Sequence, residues 1–324
     1  MSCFLPMMML QVAVGILRAF VVISPMSSDI DLWKGLAIAI NVIVCFIGII
    51  LSRWISRTKM YEISCALVAG VLLATGLVHL LSDSAESLAD LTESMNGYPF
   101  PYMLCGIMFI VLLIIEQSVD AYQVKRKDQS PKLVKNDTNI NSDIEGPSSS
   151  QLSSSSSQLT SADDDAKDMH SHDVNMSEAS AIFIFLALSV HSIFEGLSLG
   201  ASDNASQIAS TLIAIAVHKG LAAYALGASF MEAKVSKWRM LIFSVIFAFM
   251  TPAGIAIGWD LESAESDTEV LSGVCSALAA GTFLYVGALE FVPMSFKPGS
   301  SYIIWKFIAV LVGYGAMSAL AIWT

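Results

Sequence analysis

The chain has 324 residues, 55% of them hydrophobic and only 14% charged, a balance too apolar for an ordinary soluble domain, so much of it belongs in lipid. The formal net charge of −11 would mark an acidic partner-binding surface in a soluble protein; here its distribution along the chain says more than its sum, and no nucleic-acid partner is expected. Crossing a bilayer as a helix takes about 20 mostly apolar residues, because backbone polar groups must be satisfied within the segment. The apolar runs here are continuous, which excludes the short alternating strands of a membrane β-barrel.

Residues 1–31 are expected to form an extracellular or interfacial N-terminus. Cys3 to Ile23 is apolar but broken by Pro6, Gln11 and Arg18, and no basic stretch precedes the apolar part, so a retained, loosely inserted segment is favoured over a signal peptide. Spans at 32–52, 61–81 and 101–122 make 32–122 the region of the first three membrane helices. From 123 to 178 the composition turns to Lys, Asp, Asn and Ser, with serine tracts around Ser148 to Ser157 and the acidic run Asp163 to Asp165, as in a disordered cytosolic loop. His170 and His172 within it form a lone His-Ser-His element, read as solvated linker. Five further spans, at 179–200, 206–231, 239–258, 270–292 and 301–323, occupy 179–323. The fold class is therefore an all-α integral membrane protein of eight transmembrane helices.

Basic residues fix its orientation. Arg53, Arg57 and Lys59 follow the first span, Lys125, Arg126, Lys127, Lys132 and Lys135 the third, Lys234, Lys237 and Arg239 the fifth, and Lys297 and Lys306 the seventh, whereas loops 82–100, 201–205 and 259–269 hold no Lys or Arg. The positive-inside bias puts the first set in the cytosol and both termini outside. Cys3, Cys45, Cys65, Cys105 and Cys275 occur singly and read as small buried hydrophobes. Glycines such as Gly196, Gly200, Gly220, Gly227, Gly273 and Gly281 let membrane helices approach closely, and Pro252 in the sixth span favours a kink.

An ionisable group at the centre of a span costs about 2.5–3.5 kcal/mol on insertion scales, so each one calls for a reason. His191 and Glu195 are spaced i, i+4 in the fourth span, with Ser192 adjacent; His218 lies in the fifth, with Lys219 next to it. Both histidines fall near the midpoints of their spans. Imidazole nitrogen with carboxylate oxygen and no thiolate suits Zn²⁺, and also Fe²⁺, Mn²⁺ or Cd²⁺, and midplane placement suits a transported ion. His79 and Asp83, again i, i+4, stand at the outer end of the second span and read as a site that admits or relays metal. Glu86 reads as a solvated helix end. Asp90, Glu93, Asp260, Glu262, Glu265 and Asp267 make the outer surface acidic enough to concentrate cations. Glu116 and Glu290 serve either an exit path or helix pairing. Lys219 opposes a nearby metal unless it pairs with a carboxylate such as Glu195 or Glu290, or neutralises excess charge.

The strings HSIFEGLSLG at 191–200, His218-Lys219-Gly220, VLLATGLVHLLSDS at 71–84, FMTPAGIAIG at 249–258 and GTFLYVGALEFVP at 281–293 together resemble the ZIP (Zrt/Irt-like) family of metal transporters across nearly the whole chain. The resemblance implies a ZIP-type bundle of eight helices with both termini outside and a long variable loop after the third. It also implies a transport site of His191, Ser192, Glu195 and His218, and movement of Zn²⁺, as substrate rather than cofactor, towards the cytosol. Some relatives carry a proline where Phe194 stands and a second carboxylate in the turn occupied here by Lys219, Gly220, Leu221 and Ala222, so one principal metal is expected. The single His-Ser-His likewise departs from the family's richer histidine loop.

The rival from another class is a zinc-dependent intramembrane hydrolase, with His79, His191 and His218 holding the metal beside Asp83 and Ser192. The estimated depth of His79, near the outer edge, speaks against one such cluster. A receptor or scaffold would not require midplane ligands. The chain is therefore expected to be a transporter and not an enzyme, at the plasma membrane or, with the same topology, an endosomal one. Its partners are the divalent metal and the lipid bilayer, and a homodimer stays open.

Overall fold

The computed structural model describes residues 29–56, 58, 60–128, 177–263, 268–297, 299 and 301–322. The N-terminal segment before Asp29 and the serine-rich loop, with His170 and His172, lie outside the described residues.

Among those residues eight helices are long and apolar enough to cross a membrane: Asp29–Ile55, Tyr61–Ser87, Phe100–Val119, Glu178–Ala201, Ala205–Glu232, Lys237–Glu262, Thr268–Ser295 and Ile303–Leu320. They are referred to as the first to eighth spans. Capping residues fix where the two central spans begin. Ser177 accepts a hydrogen bond from the Ser180 amide at 3.0 Å. Asn204 Oδ1 accepts from the amides of Ser206 and Gln207 at 3.0 and 3.2 Å, satisfying donors that the first turn leaves unpaired. The Asn204 cap lets the chain leave the fourth span at Ala201 and re-enter a helix at Ala205, so the two spans with the midplane histidines are consecutive and joined by three residues.

The second and seventh spans are not uniform α-helices. Each contains one π-helical stretch, Thr75–Leu80 in the second and Val286–Phe291 in the seventh. Such stretches are rare and concentrate at functional sites. They face each other's helices: a Cβ on Gly76 would meet Leu284 at 3.1 Å and the Ala280 carbonyl oxygen at 3.2 Å, and one on Gly287 would meet Leu72 and Leu73 at 3.3 Å. The second helix also continues to Ser87, beyond the expected end at 81, because Leu81–Ser87 stays helical although it is polar. The third helix runs to Asp128, and the sixth passes through Pro252 without interruption.

The first span packs on the fifth, the second on the eighth, and the fourth on both the sixth and the seventh. Glycine makes the closest of these approaches. A Cβ on Gly196 would strike the Thr251 carbonyl oxygen and come within 3.0 Å of Gly254 Cα, while one on Gly254 would strike the Ile193 carbonyl oxygen. Gly196 with Gly200 and Gly254 with Gly258 thus form two small-xxx-small edges that lie against one another. The third and eighth spans are peripheral, presenting Ile110, Ile114, Ile304 and Leu311 outward, as suits lipid contact. Cys45, Cys65, Cys105 and Cys275 are buried free thiols, as expected; Cys3 is outside the described residues.

Ion pairs tie the span ends together. Glu62 pairs with Lys306, Glu178 with Arg239 and Glu232 with Lys297, linking termini that the alternating topology puts at one end of the bundle. Lys34 pairs with Glu262 at 3.4 Å at the other. Residues up to Ser118 and from Ser177 onward belong to one unit, and the last turns of the third helix, Val119–Asp128, to a second.

Candidate metal centre

The i, i+4 spacing of His191 and Glu195 places both on one face of the fourth span, and the fifth span brings His218 against them. One donor atom from each of the three lies within 4.8 Å of the others. His191 Nε2 is 3.6 Å from Glu195 Oε1, and His218 Nε2 is hydrogen-bonded to the same oxygen. All three side chains are buried, at 1%, 2% and 0% exposure, away from bulk solvent. Yet His191 Nε2, Glu195 Oε2 and His218 Nδ1 have no hydrogen-bond partner. Buried polar atoms are normally paired, and exceptions call for a cause. Two imidazoles and one carboxylate with donor atoms still to spend form a nitrogen-and-oxygen set of the kind that holds Zn²⁺ with an open position.

The seventh span walls the site. His191 Nδ1 lies 3.1 Å from the Ala279 carbonyl oxygen and 3.0 Å from Thr282 Oγ1. Its ring is stacked on Phe283, with centroids 3.4 Å apart and planes 21° apart, and Phe283 meets His218 edge-on at 5.5 Å.

Ser192, the fourth residue of the expected ligand set, is otherwise engaged. Its Oγ donates to the Leu188 carbonyl at 2.6 Å and accepts from Lys219 Nζ at 2.5 Å. Lys219 also lies 4.3 Å above the Phe247 ring. The direct contacts of Lys219 are thus a hydroxyl and an aromatic face.

His79 calls for a correction. The expectation that it lies too near the outer edge to join the other histidines does not hold: its ring centroid is 6.1 Å from that of His218, as close as His191 at 6.2 Å. The second helix is longer than expected, which moves its midpoint towards His79, and the residue belongs to the π stretch that packs on the seventh span. His79 is buried, and neither ring nitrogen makes a hydrogen bond. Its Nδ1 is 3.1 Å from Asp83 Oδ2, and Asp83 is 39% exposed. A file of polar groups therefore leads from the bundle surface through Asp83 and His79 to His218 and Glu195.

Glu290 and Glu116 stand outside the three-residue cluster. Glu290 is buried in the π stretch of the seventh span. Glu116 accepts a hydrogen bond from the buried Tyr285 hydroxyl, tying the third span to the seventh. Sequence reasoning missed Thr282, Phe283 and Phe247 because it searched for ionisable groups. The available signal was a hydroxyl and an aromatic ring in the small-residue run of the seventh span.

Residues 32–321 match the family described as ZIP Zinc transporter. The chain is 26% identical over 300 residues to Zinc transporter ZIP1 of Danio rerio, covering 88% of this chain and 96% of that protein. It is 28% identical over 281 residues to Zinc transporter ZIP1 of Homo sapiens, covering 82% and 79%, and 28% identical over 292 residues to Zinc transporter 9 of Oryza sativa subsp. japonica, covering 82% and 80%. With eight spans, a histidine and carboxylate cluster buried among them and a family match over nearly its full length, the chain belongs to the ZIP zinc transporter family, a family of membrane transporters rather than enzymes.

Proposed function

We propose that this protein carries Zn²⁺ across a bilayer into the cytosol, and that the ion passes through a centre made by His191, Glu195 and His218. The observation that carries the proposal is the convergence of three buried donors, each with a polar atom left unpartnered, in the interior of an eight-span bundle. Two neutral imidazoles and one carboxylate offset part of the ion's charge without trapping it, as a transported cation requires.

The acidic outer loops concentrate cations, Asp83 and His79 hand them inward, and the cluster receives them. Ser192 flanks the centre and holds Lys219 beside it, an arrangement suited to one metal rather than two. Glu290 and Glu116 lie on the release side, where Glu116 also joins helices. The positive-inside bias of the basic loops supports a cytosolic release side with both termini outside, in the plasma membrane or an endosomal one. Fe²⁺, Mn²⁺ and Cd²⁺ use the same donors and compete.

The gathering of His79 with His191 and His218 would also suit a hydrolase, but membership of a transporter family speaks against that reading. Labelled zinc uptake into cells expressing the chain, compared with His191→Ala and Glu195→Ala at equal surface level, is the test. Saturable uptake lost in both variants supports the proposal. Uptake at background in all three would overturn it.

A further inference from the structure

We infer that Thr282 is a positioning residue for the metal centre: with the Ala279 carbonyl it fixes which nitrogen of His191 faces the ion. The inference rests on the proposed role of His191 as a ligand.

A carbonyl oxygen can only accept, so His191 Nδ1, 3.1 Å from the Ala279 oxygen, must carry the ring hydrogen. Thr282 leads to the same tautomer by a separate route. Its hydroxyl donates to the Ala279 oxygen at 2.6 Å, which leaves only lone pairs on Oγ1 to face Nδ1 at 3.0 Å. Both contacts therefore put the hydrogen on Nδ1 and the lone pair on Nε2, the nitrogen 3.6 Å from Glu195. A metal-binding imidazole needs its free lone pair aimed at the ion, and the partner of its other nitrogen sets that tautomer.

His218 differs, because its Nδ1 has no partner. His191 is thus the ligand of the pair that is held from outside the donor set, by groups on the seventh span, away from the two spans that supply the donors. Phe283, the next residue, stacks on the face of the same ring, so consecutive side chains restrain both its edge and its face.

Removing an outer-shell partner of a metal-binding histidine typically costs 10–100-fold in affinity or activity. The test uses the full-length protein purified in detergent, titrated with Zn²⁺ against a chelating dye, together with uptake kinetics in cells. Thr282→Val is expected to weaken Zn²⁺ binding about tenfold and to raise the KM of uptake in step. Thr282→Ser, which keeps the hydroxyl, is expected to restore both. A merely structural role would lower surface level or melting temperature and leave KM unchanged. Should Thr282→Val fail to accumulate, Thr282→Ala, smaller than the parent side chain, carries the same expectation.

Parental affinity in the Thr282 variants, with binding lost in His191→Ala, would overturn this inference and leave the transport site intact. An equal defect in Thr282→Ser would also overturn it. Parental affinity in His191→Ala would overturn the reading of the site itself.

Discussion

Lys219 donates a hydrogen bond to Ser192 Oγ at 2.5 Å, with both groups fully buried, so the sequence neighbours of His218 and His191 are bonded to each other. The contact joins the fourth and fifth spans beside the proposed ligands. It also shows how an amine is accommodated beside the proposed cation site: the hydroxyl and the Phe247 ring receive it directly.

Ser192→Ala removes the acceptor and leaves a buried amine short of a partner, which costs about 1–3 kcal/mol. The expected outcome is a lower melting temperature in detergent with Zn²⁺ affinity reduced far less than by His191→Ala. An affinity loss equal to that of His191→Ala at unchanged melting temperature would instead place Ser192 Oγ on the metal.

His79 and Asp83 act in series in the proposed path. His79→Ala is expected to raise the KM for zinc uptake severalfold while leaving Zn²⁺ binding at the centre measurable, since His191, Glu195 and His218 remain. Asp83→Asn combined with His79→Ala is expected to do little more than the single change, because contacting groups that serve one step are not additive. Fully additive losses in uptake assays would separate the two residues into independent roles.

Glu116 separates pairing from conduction. The Tyr285 hydroxyl needs only an acceptor, and an amide oxygen supplies one. Glu116→Gln is therefore expected to keep stability and uptake near parental values, whereas Tyr285→Phe lowers the melting temperature by removing a part-buried hydrogen bond worth roughly 0.5–1.5 kcal/mol. A steep fall in uptake rate in Glu116→Gln at unchanged stability would mean that its charge lies on the ion's path.

Gly196→Ala is expected to cost roughly 1–3 kcal/mol or more, because the added methyl meets the Thr251 carbonyl and Gly254 Cα, backbone atoms with no freedom to step aside. The loss of monodisperse protein on size exclusion is the readout. Gly106→Ala, where a Cβ finds nothing within 4 Å, serves as the tolerated control.

Much of this was legible in the sequence, and the reasons differ by residue. The spans were legible because lipid demands about 20 apolar residues in a row. His191, Glu195 and His218 were legible because burying such groups is costly. The position of His79 was not. Taken from a span of 61–81 it stands eight residues past the midpoint, about 12 Å along the axis. The helix reaches Ser87, and polar residues beyond the lipid leave no hydropathy signal. Thr282 was invisible for the opposite reason: a hydroxyl can satisfy itself on its own helix, so its presence in a span raises no question. The partner of Lys219 depends on how two helices are rotated about their axes, which periodicity alone does not set.

The π stretches at Thr75–Leu80 and Val286–Phe291 have a consequence for changes in chain length. Each holds one residue more than an α-helical turn would use. Deleting a single residue there restores continuous α geometry and leaves the helix on both sides in phase with its neighbours. The same deletion elsewhere rotates everything beyond it by about 100°. At these two points, and for this reason, the bundle can shorten without unpacking, while His79 or Glu290 turns away from where it now stands. The scaffold and the proposed route of the ion are thus separable by length alone, with no residue type exchanged.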